Sequence, residues 1–215
     1  MSDEHHINFQ FKARYFTAGK LTQNTRYIWL VFHGYGQLAE YFIRKFDVLG
    51  DGHFAIAPEG LSRYYLSDNS GRVGASWMTK EDRLTDIENQ ISYINMIYKS
   101  VQPDLENGAR LIVLGFSQGT ATALRWIVNQ QINPDKLLIW AGTIPPDLEA
   151  ENRNVDLSEI ETIIVQGDAD PYLGTVYMDN MADWLVYYKI SHREIKYQGG
   201  HTVHTPTLKQ LAASF

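Results

Sequence analysis

Five short apolar runs stand out from a mixed chain: 27–32 (YIWLVF), 53–57 (HFAIA), 111–114 (LIVL), 137–141 (LLIWA) and 162–165 (TIIV). None alternates with polar residues, so each predicts a strand covered on both faces. Between them the spacing turns helical. Leu84, Ile87, Ile91, Ile94, Tyr98 and Val101 recur at intervals of 3, 4, 3, 4 and 3, which draws one apolar stripe along a helix. Residues 38–49 (LAEYFIRKFDVL) and 208–215 (LKQLAASF) predict further helices, and a last strand is expected near 195–197. The alternation of strand and helix predicts an α/β fold, with a mainly parallel central sheet, helices on both faces and sites beyond the carboxyl ends of the strands. Residues 7–15 (INFQFKARY) alternate apolar with polar, the pattern of an antiparallel edge strand with one face in water.

Composition narrows the function. At 215 residues, 44% hydrophobic, the chain can bury one substantial core, and residues 1–215 are read as a single domain without internal repeats. Nineteen Lys and Arg against 25 Asp and Glu give a net charge of −6, with no basic run to track a phosphate backbone, so nucleic acid is not an expected partner. The absence of cysteine excludes a disulfide, a thiolate nucleophile and a Cys-ligated zinc. The start, MSDEHH, is acidic where a signal peptide is basic and apolar, and no apolar run approaches the ~20 residues of a membrane span. The expectation is a cytoplasmic protein without stable membrane insertion.

The chemistry gathers around Gly115-Phe116-Ser117-Gln118-Gly119, where the run LIVL gives way to a helical pattern. A sharp strand-to-helix corner forces its central residue into strained backbone geometry, and glycines two residues either side remove the clash. Ser117 is then presented above the sheet, and the Gln118 N–H opens a helix whose positive end favours an oxyanion. The competing reading is a plain Gly-Ser turn. A serine at its ordinary pKa is a poor nucleophile, so catalysis also requires a histidine base and an acid to orient it, later in the chain. Gly167-Asp168-Ala169-Asp170-Pro171 follows TIIV and offers two acids, of which Asp170 before proline could equally cap a helix. Gly199-Gly200-His201 follows the last expected strand. Its rival, His204, precedes Thr205-Pro206, the expected cap and first turn of the final helix. His5, His6, His53 and His192 show no metal-ligand spacing, and His53 falls in a strand.

Taken together, His33-Gly34-Tyr35-Gly36, GFSQG, GDADP and GGH resemble, in this order, the phospholipase/carboxylesterase group of α/β-hydrolases, to which acyl-protein thioesterases belong. The resemblance runs from about residue 27 to residue 211. It implies an α/β-hydrolase fold and hydrolysis of carboxylic esters or thioesters through an acyl-enzyme, with Ser117 as nucleophile, His201 as base and Asp170, ahead of Asp168, as acid. It also implies an oxyanion hole formed by the N–H groups of Tyr35 and Gln118, with no metal and no organic cofactor. Two positions depart from the usual pattern: Gln37 follows HGYG where an aspartate is common, and SWMTKE stands where a tryptophan-aromatic-acid signature is expected.

Substrate recognition is expected from residues 59–80, a long segment at a strand end, where Tyr64, Tyr65, Trp77 and Met78, with Tyr172, offer an apolar wall for an acyl chain. Packing in the core is the alternative for each. Only residues 142–159 separate LLIWA from the next strand, too few for a cap domain, so an open cleft for a small-molecule or acylated substrate is predicted. A small peptidase-type hydrolase and a non-catalytic binding relative are the other readings.

Overall fold

Each apolar run folds as a strand whose successive side chains enter two different cores, which is why none of them needs a polar face. The computed structural model describes residues 2–67, 70–148, 157–175 and 180–215. Its strands are β1 (Tyr15–Gly19), β2 (Tyr27–Phe32), β3 (His53–Pro58), β4 (Ser62–Tyr65), β5 (Val73–Ser76), β6 (Arg110–Phe116), β7 (Lys136–Trp140), β8 (Glu161–Gly167) and β9 (His192–Tyr197). Seven form one sheet in the order β1-β3-β2-β6-β7-β8-β9, parallel throughout except for β1 on β3, while β4 and β5 make a separate hairpin. The helices are α1 (Ala39–Phe42), continued by 3₁₀ turns over Ile43–Leu49, then α2 (Arg83–Glu106), α3 (Gln118–Gln130), α4 (Met181–Tyr187) and α5 (Thr205–Ala213).

The two faces can be read along single strands. Ile28, Leu30 and Phe32 of β2 pack with Ile91 and Ile94 of α2 and Leu124 of α3, whereas Trp29 and Val31 pack with Phe42 and Phe46 beyond β2 and Leu208 of α5. Both clusters are buried, and the central sheet lies between them. No helix among the described residues is long and apolar enough to cross a membrane.

Three expectations need correction. Leu84, assigned to the apolar stripe, sits in the first turn of α2 and is 71% exposed, while Ile97 joins the buried set in its place. The antiparallel edge strand exists but starts at Tyr15, not at residue 7. Tyr15 pairs with Pro58, the last residue of β3, and the chain N-terminal to it finds no strand left to pair with, so Ile7, Phe9 and Phe11 stay exposed. Residues 59–80, read as one long segment, contain the β4–β5 hairpin, which a Gln37–Ala75 bridge ties to the loop after β2. Of the short link that left no room for a cap, residues 149–156 lie outside the described part.

Candidate active site

The corner between β6 and α3 has the strain that its glycines anticipate. Ser117 holds φ 53° and ψ −121°, a conformation that costs a non-glycine residue about 1–3 kcal/mol. A Cβ on Gly115 would lie 2.4 Å from Thr120 Cα, and one on Gly119 would lie 2.3 Å from the Phe32 carbonyl oxygen, so only glycine allows the corner to close on α3 and β2. Hydrogen bonds hold it shut: the Ser117 N–H donates to the Trp140 carbonyl at 2.9 Å, and the Thr120 hydroxyl donates to the Gly115 carbonyl at 2.8 Å.

The loops after β8 and β9 bring an acid and an imidazole together. His201 Nδ1 and Asp170 Oδ2 are 2.8 Å apart, and the Asp170 carboxylate is fully buried. Its other oxygen accepts the Tyr172 N–H at 2.9 Å, which fixes its orientation. This bond caps a turn; no described helix begins at Pro171. Asp168 instead accepts the Gly199 N–H at 2.9 Å and so shapes the loop that carries His201. The His201 ring lies against Phe116 and Tyr172, with centroids 4.9 and 4.6 Å away. His204 turns elsewhere: it opens α5, its Nδ1 lies 2.9 Å from the Thr207 hydroxyl, and its ring stacks on Tyr197.

Opposite lies the loop His33-Gly34-Tyr35-Gly36, whose close approach again depends on glycine. A Cβ on Gly34 would stand 3.3 Å from Ser117 Cβ. The Gly60 N–H donates to His33 Nε2 at 3.0 Å, so the His33 proton resides on Nδ1 and is donated to the Gly34 carbonyl at 2.8 Å. The Gln37 N–H donates to the same carbonyl, and the Gln37 side chain accepts the Gly34 N–H at 2.9 Å, so this residue folds the loop where the family pattern has aspartate. Across the trans peptide the Tyr35 N–H points away from the Gly34 carbonyl. It and the Gln118 N–H donate to no acceptor among the described residues.

His33 is fully buried and stacks on Trp77, and burial lowers its pKa from 6.5 to about 4. Between those values the unfolded chain binds the proton and the folded one does not. The stability that His33 contributes is therefore full above pH 6.5 and is lost as pH falls toward 4, in total on the order of 3 kcal/mol. Urea unfolding at stepped pH should show this loss, and His33→Gln should flatten it. An identical pH slope in the variant would contradict the assignment.

Ser117 and His201 line one cleft of about 470 Å³, together with Gln118, Met78 and Tyr172. Tyr172 and Met78 thus line the cleft that holds Ser117. Trp77 does not: it is fully buried, stacked on His33, and its indole N–H donates to the His33 carbonyl, so it is core that supports the loop. Tyr64 packs on Tyr35 and Tyr65 is exposed on the hairpin, and neither lines the cleft. Sequence reasoning missed the Gln118 side chain, which accepts the Trp77 N–H and donates to the Met78 carbonyl, clamping the hairpin end to α3. It also missed Ala121 and Arg125 on the cleft wall, although their spacing of four and eight from Ser117 places all three on one helix face. Away from the cleft, exposed Glu4, His6 and Asp82 bring donor atoms within 4.8 Å of one another.

Comparison with known proteins gives two kinds of likeness. A profile described as Phospholipase/Carboxylesterase matches residues 20–215. Among solved structures, the chain is similar to Zea mays acyl-protein thioesterase 2 at 17% identity, over 94% of this chain and 97% of that one, with a TM-score of 0.72. It is similar to a phospholipase/carboxylesterase from Dyadobacter fermentans at 17% identity, over 96% and 97%, with a TM-score of 0.66. The Bacillus cereus carboxylesterase matches at 11% identity over 94% of each chain, with a TM-score of 0.65. At these identities the structural likenesses bear on the fold.

Proposed function

Because the chain belongs to the phospholipase/carboxylesterase family of α/β-hydrolases, and is an ester-hydrolysing enzyme on that ground, we propose that it is a single-domain serine esterase or thioesterase using Ser117, His201 and Asp170. The observation that carries the reading is the 2.8 Å hydrogen bond between His201 and buried Asp170, on a loop that lines the same cleft as Ser117.

In the first half-reaction His201 Nε2 takes the Ser117 proton as Oγ attacks the acyl carbon. The negative oxygen meets the N–H groups of Tyr35 and Gln118, which have no other acceptor among the described residues. Asp170 holds Nδ1–H and stabilises the imidazolium, which then gives its proton to the departing alcohol or thiol. Water repeats the sequence on the acyl-enzyme, releasing the acid and restoring Ser117. The protein groups named here suffice for this cycle without an organic cofactor. The substrate reading is a small ester or an acyl group on a larger carrier; the named similarity to an acyl-protein thioesterase is what brings thioesters into it.

The test is a side-by-side assay on p-nitrophenyl acyl esters, acyl thioesters and peptide p-nitroanilides. Turnover of the first two with little of the third is expected, and a preference for the anilides would support a peptidase instead. Asp170→Asn is expected to lower kcat by roughly 10⁴-fold, since the wrong imidazole tautomer is then held. Asp168→Asn, which weakens a loop contact, should stay within about tenfold. A larger loss in the Asp168 variant would transfer the acid role to it.

A further inference from the structure

The wall that α3 gives to the cleft ends in a charge. Ser117, Ala121 and Arg125 lie four residues apart along one face and line the same cavity. The Arg125 side chain is only 8% exposed, an unusual burial for a cation unless something pairs it. Asp147 does so in part: Arg125 Nη2 donates to Oδ1 at 2.8 Å and Nε to Oδ2 at 3.3 Å. Asp147 is shared, however, because Arg83 Nη2 also donates to its Oδ2. Burial pushes the Asp147 carboxyl up, and Arg125, with the charge of Arg83, more than reverses this, so it remains an anion. Among the described residues these ion pairs set two cations, Arg125 on the cleft wall and the part-exposed Arg83, against one anion.

The donors of Arg125 show the same imbalance. Of its five N–H groups, two bind Asp147, and Nη1 has the Met78 thioether at 3.4 Å, a weak acceptor. The remainder have no acceptor among the described residues. A clasp holding residue 147 to α3 would require neither the second arginine nor a place on the cleft wall.

Resting on the esterase reading above, we propose that Arg125 selects acyl groups that end in a carboxylate, so that the preferred substrates are monoesters or monothioesters of short dicarboxylic acids. Eight steps along the helix separate Cα of Arg125 from that of Ser117 by about 12 Å, and the arginine leans back toward the helix N-terminus. The remaining gap matches an acyl chain of roughly four to six carbons. The acyl side is favoured over the leaving-group side because the leaving group must receive its proton from His201, which stands with Tyr172 rather than along α3.

The experiment compares kcat/KM for mono-p-nitrophenyl glutarate with that for p-nitrophenyl valerate, which differs by the terminal carboxylate. A third ester, 4-(valeryloxy)benzoate, carries the anion on the leaving group. Wild-type enzyme should favour the glutarate over the valerate by about tenfold or more, from a charge-assisted hydrogen bond to a guanidinium whose side chain is only 8% exposed. Arg125→Met should bring that ratio to one or below, and the ratio does not depend on how much of the variant is folded. Should Arg125→Met yield no active protein, the wild-type ratio alone decides. Valerate hydrolysed as fast as glutarate, or a gain confined to the benzoate relative to its uncharged phenyl analogue, would overturn the proposal while leaving the esterase reading intact. Failure to hydrolyse any of the three would remove that reading as well.

Discussion

Ser117→Ala is expected to lower kcat by roughly 10⁶-fold, the scale seen when the nucleophile of a serine hydrolase is removed. In the proposed mechanism the hydroxyl forms the covalent intermediate, and the neighbouring Gln118 cannot replace it, because its side chain is committed to residues 76–78, nor can a thiol, because the chain has no cysteine. The fold should persist. Alanine must adopt the same φ of 53°, held by the Trp140 and Thr120 hydrogen bonds that do not involve the hydroxyl, so the strain is carried over rather than added. Circular dichroism and the thermal midpoint should match wild type within a few degrees. A folded Ser117→Ala protein with activity within tenfold of wild type would remove the serine from the mechanism.

His201→Ala is expected to lose activity on a similar scale, because in the proposed mechanism the base and the nucleophile act as one unit. His204→Ala provides the control, three residues away. Its ring stacks on Tyr197 at 4.9 Å and its Nδ1 meets Thr207, so its loss should loosen the start of α5, costing about 1 kcal/mol, without touching proton transfer. Most activity should survive at temperatures well below the midpoint. Steady-state rates on a p-nitrophenyl ester decide the matter, and an active His201 variant beside an inactive, folded His204 variant would exchange their roles.

How much of this was legible in the sequence depended on whether local pattern or tertiary partnership decided each residue. The central strands were legible because a strand buried on both faces must be apolar at every position, as in YIWLVF and LIVL. The corner at Ser117 was legible because two glycines mark a steric demand that no other residue meets. The edge strand was misplaced because alternation in residues 7–15 records amphipathicity only, and the point where pairing begins is set by where β3 ends, at Pro58. Leu84 shows the same limit: helical spacing placed it on the stripe, but the first turn of α2 extends beyond the face that α3 and the sheet cover. Trp77 was assigned to the substrate wall because an aromatic residue near a site reads alike whether it faces the ligand or supports the loop behind it. Only the contact with His33 separates the two. Arg125 was overlooked because a lone arginine in a helix reads as a solvated charge, and its partners Asp147 and Arg83 are distant in sequence.

The central claim is that Ser117 is an activated nucleophile and His201 its base, and covalent labelling tests it whatever the native substrate is. The protein is incubated with a fluorophosphonate, digested, and the modified peptide sequenced by mass spectrometry. Rapid, stoichiometric labelling at Ser117 in wild type, with the rate collapsing in folded His201→Ala and Asp170→Asn proteins, is the predicted result. Absence of labelling, modification at another residue, or a Ser117 rate unaffected by the His201 substitution would contradict it.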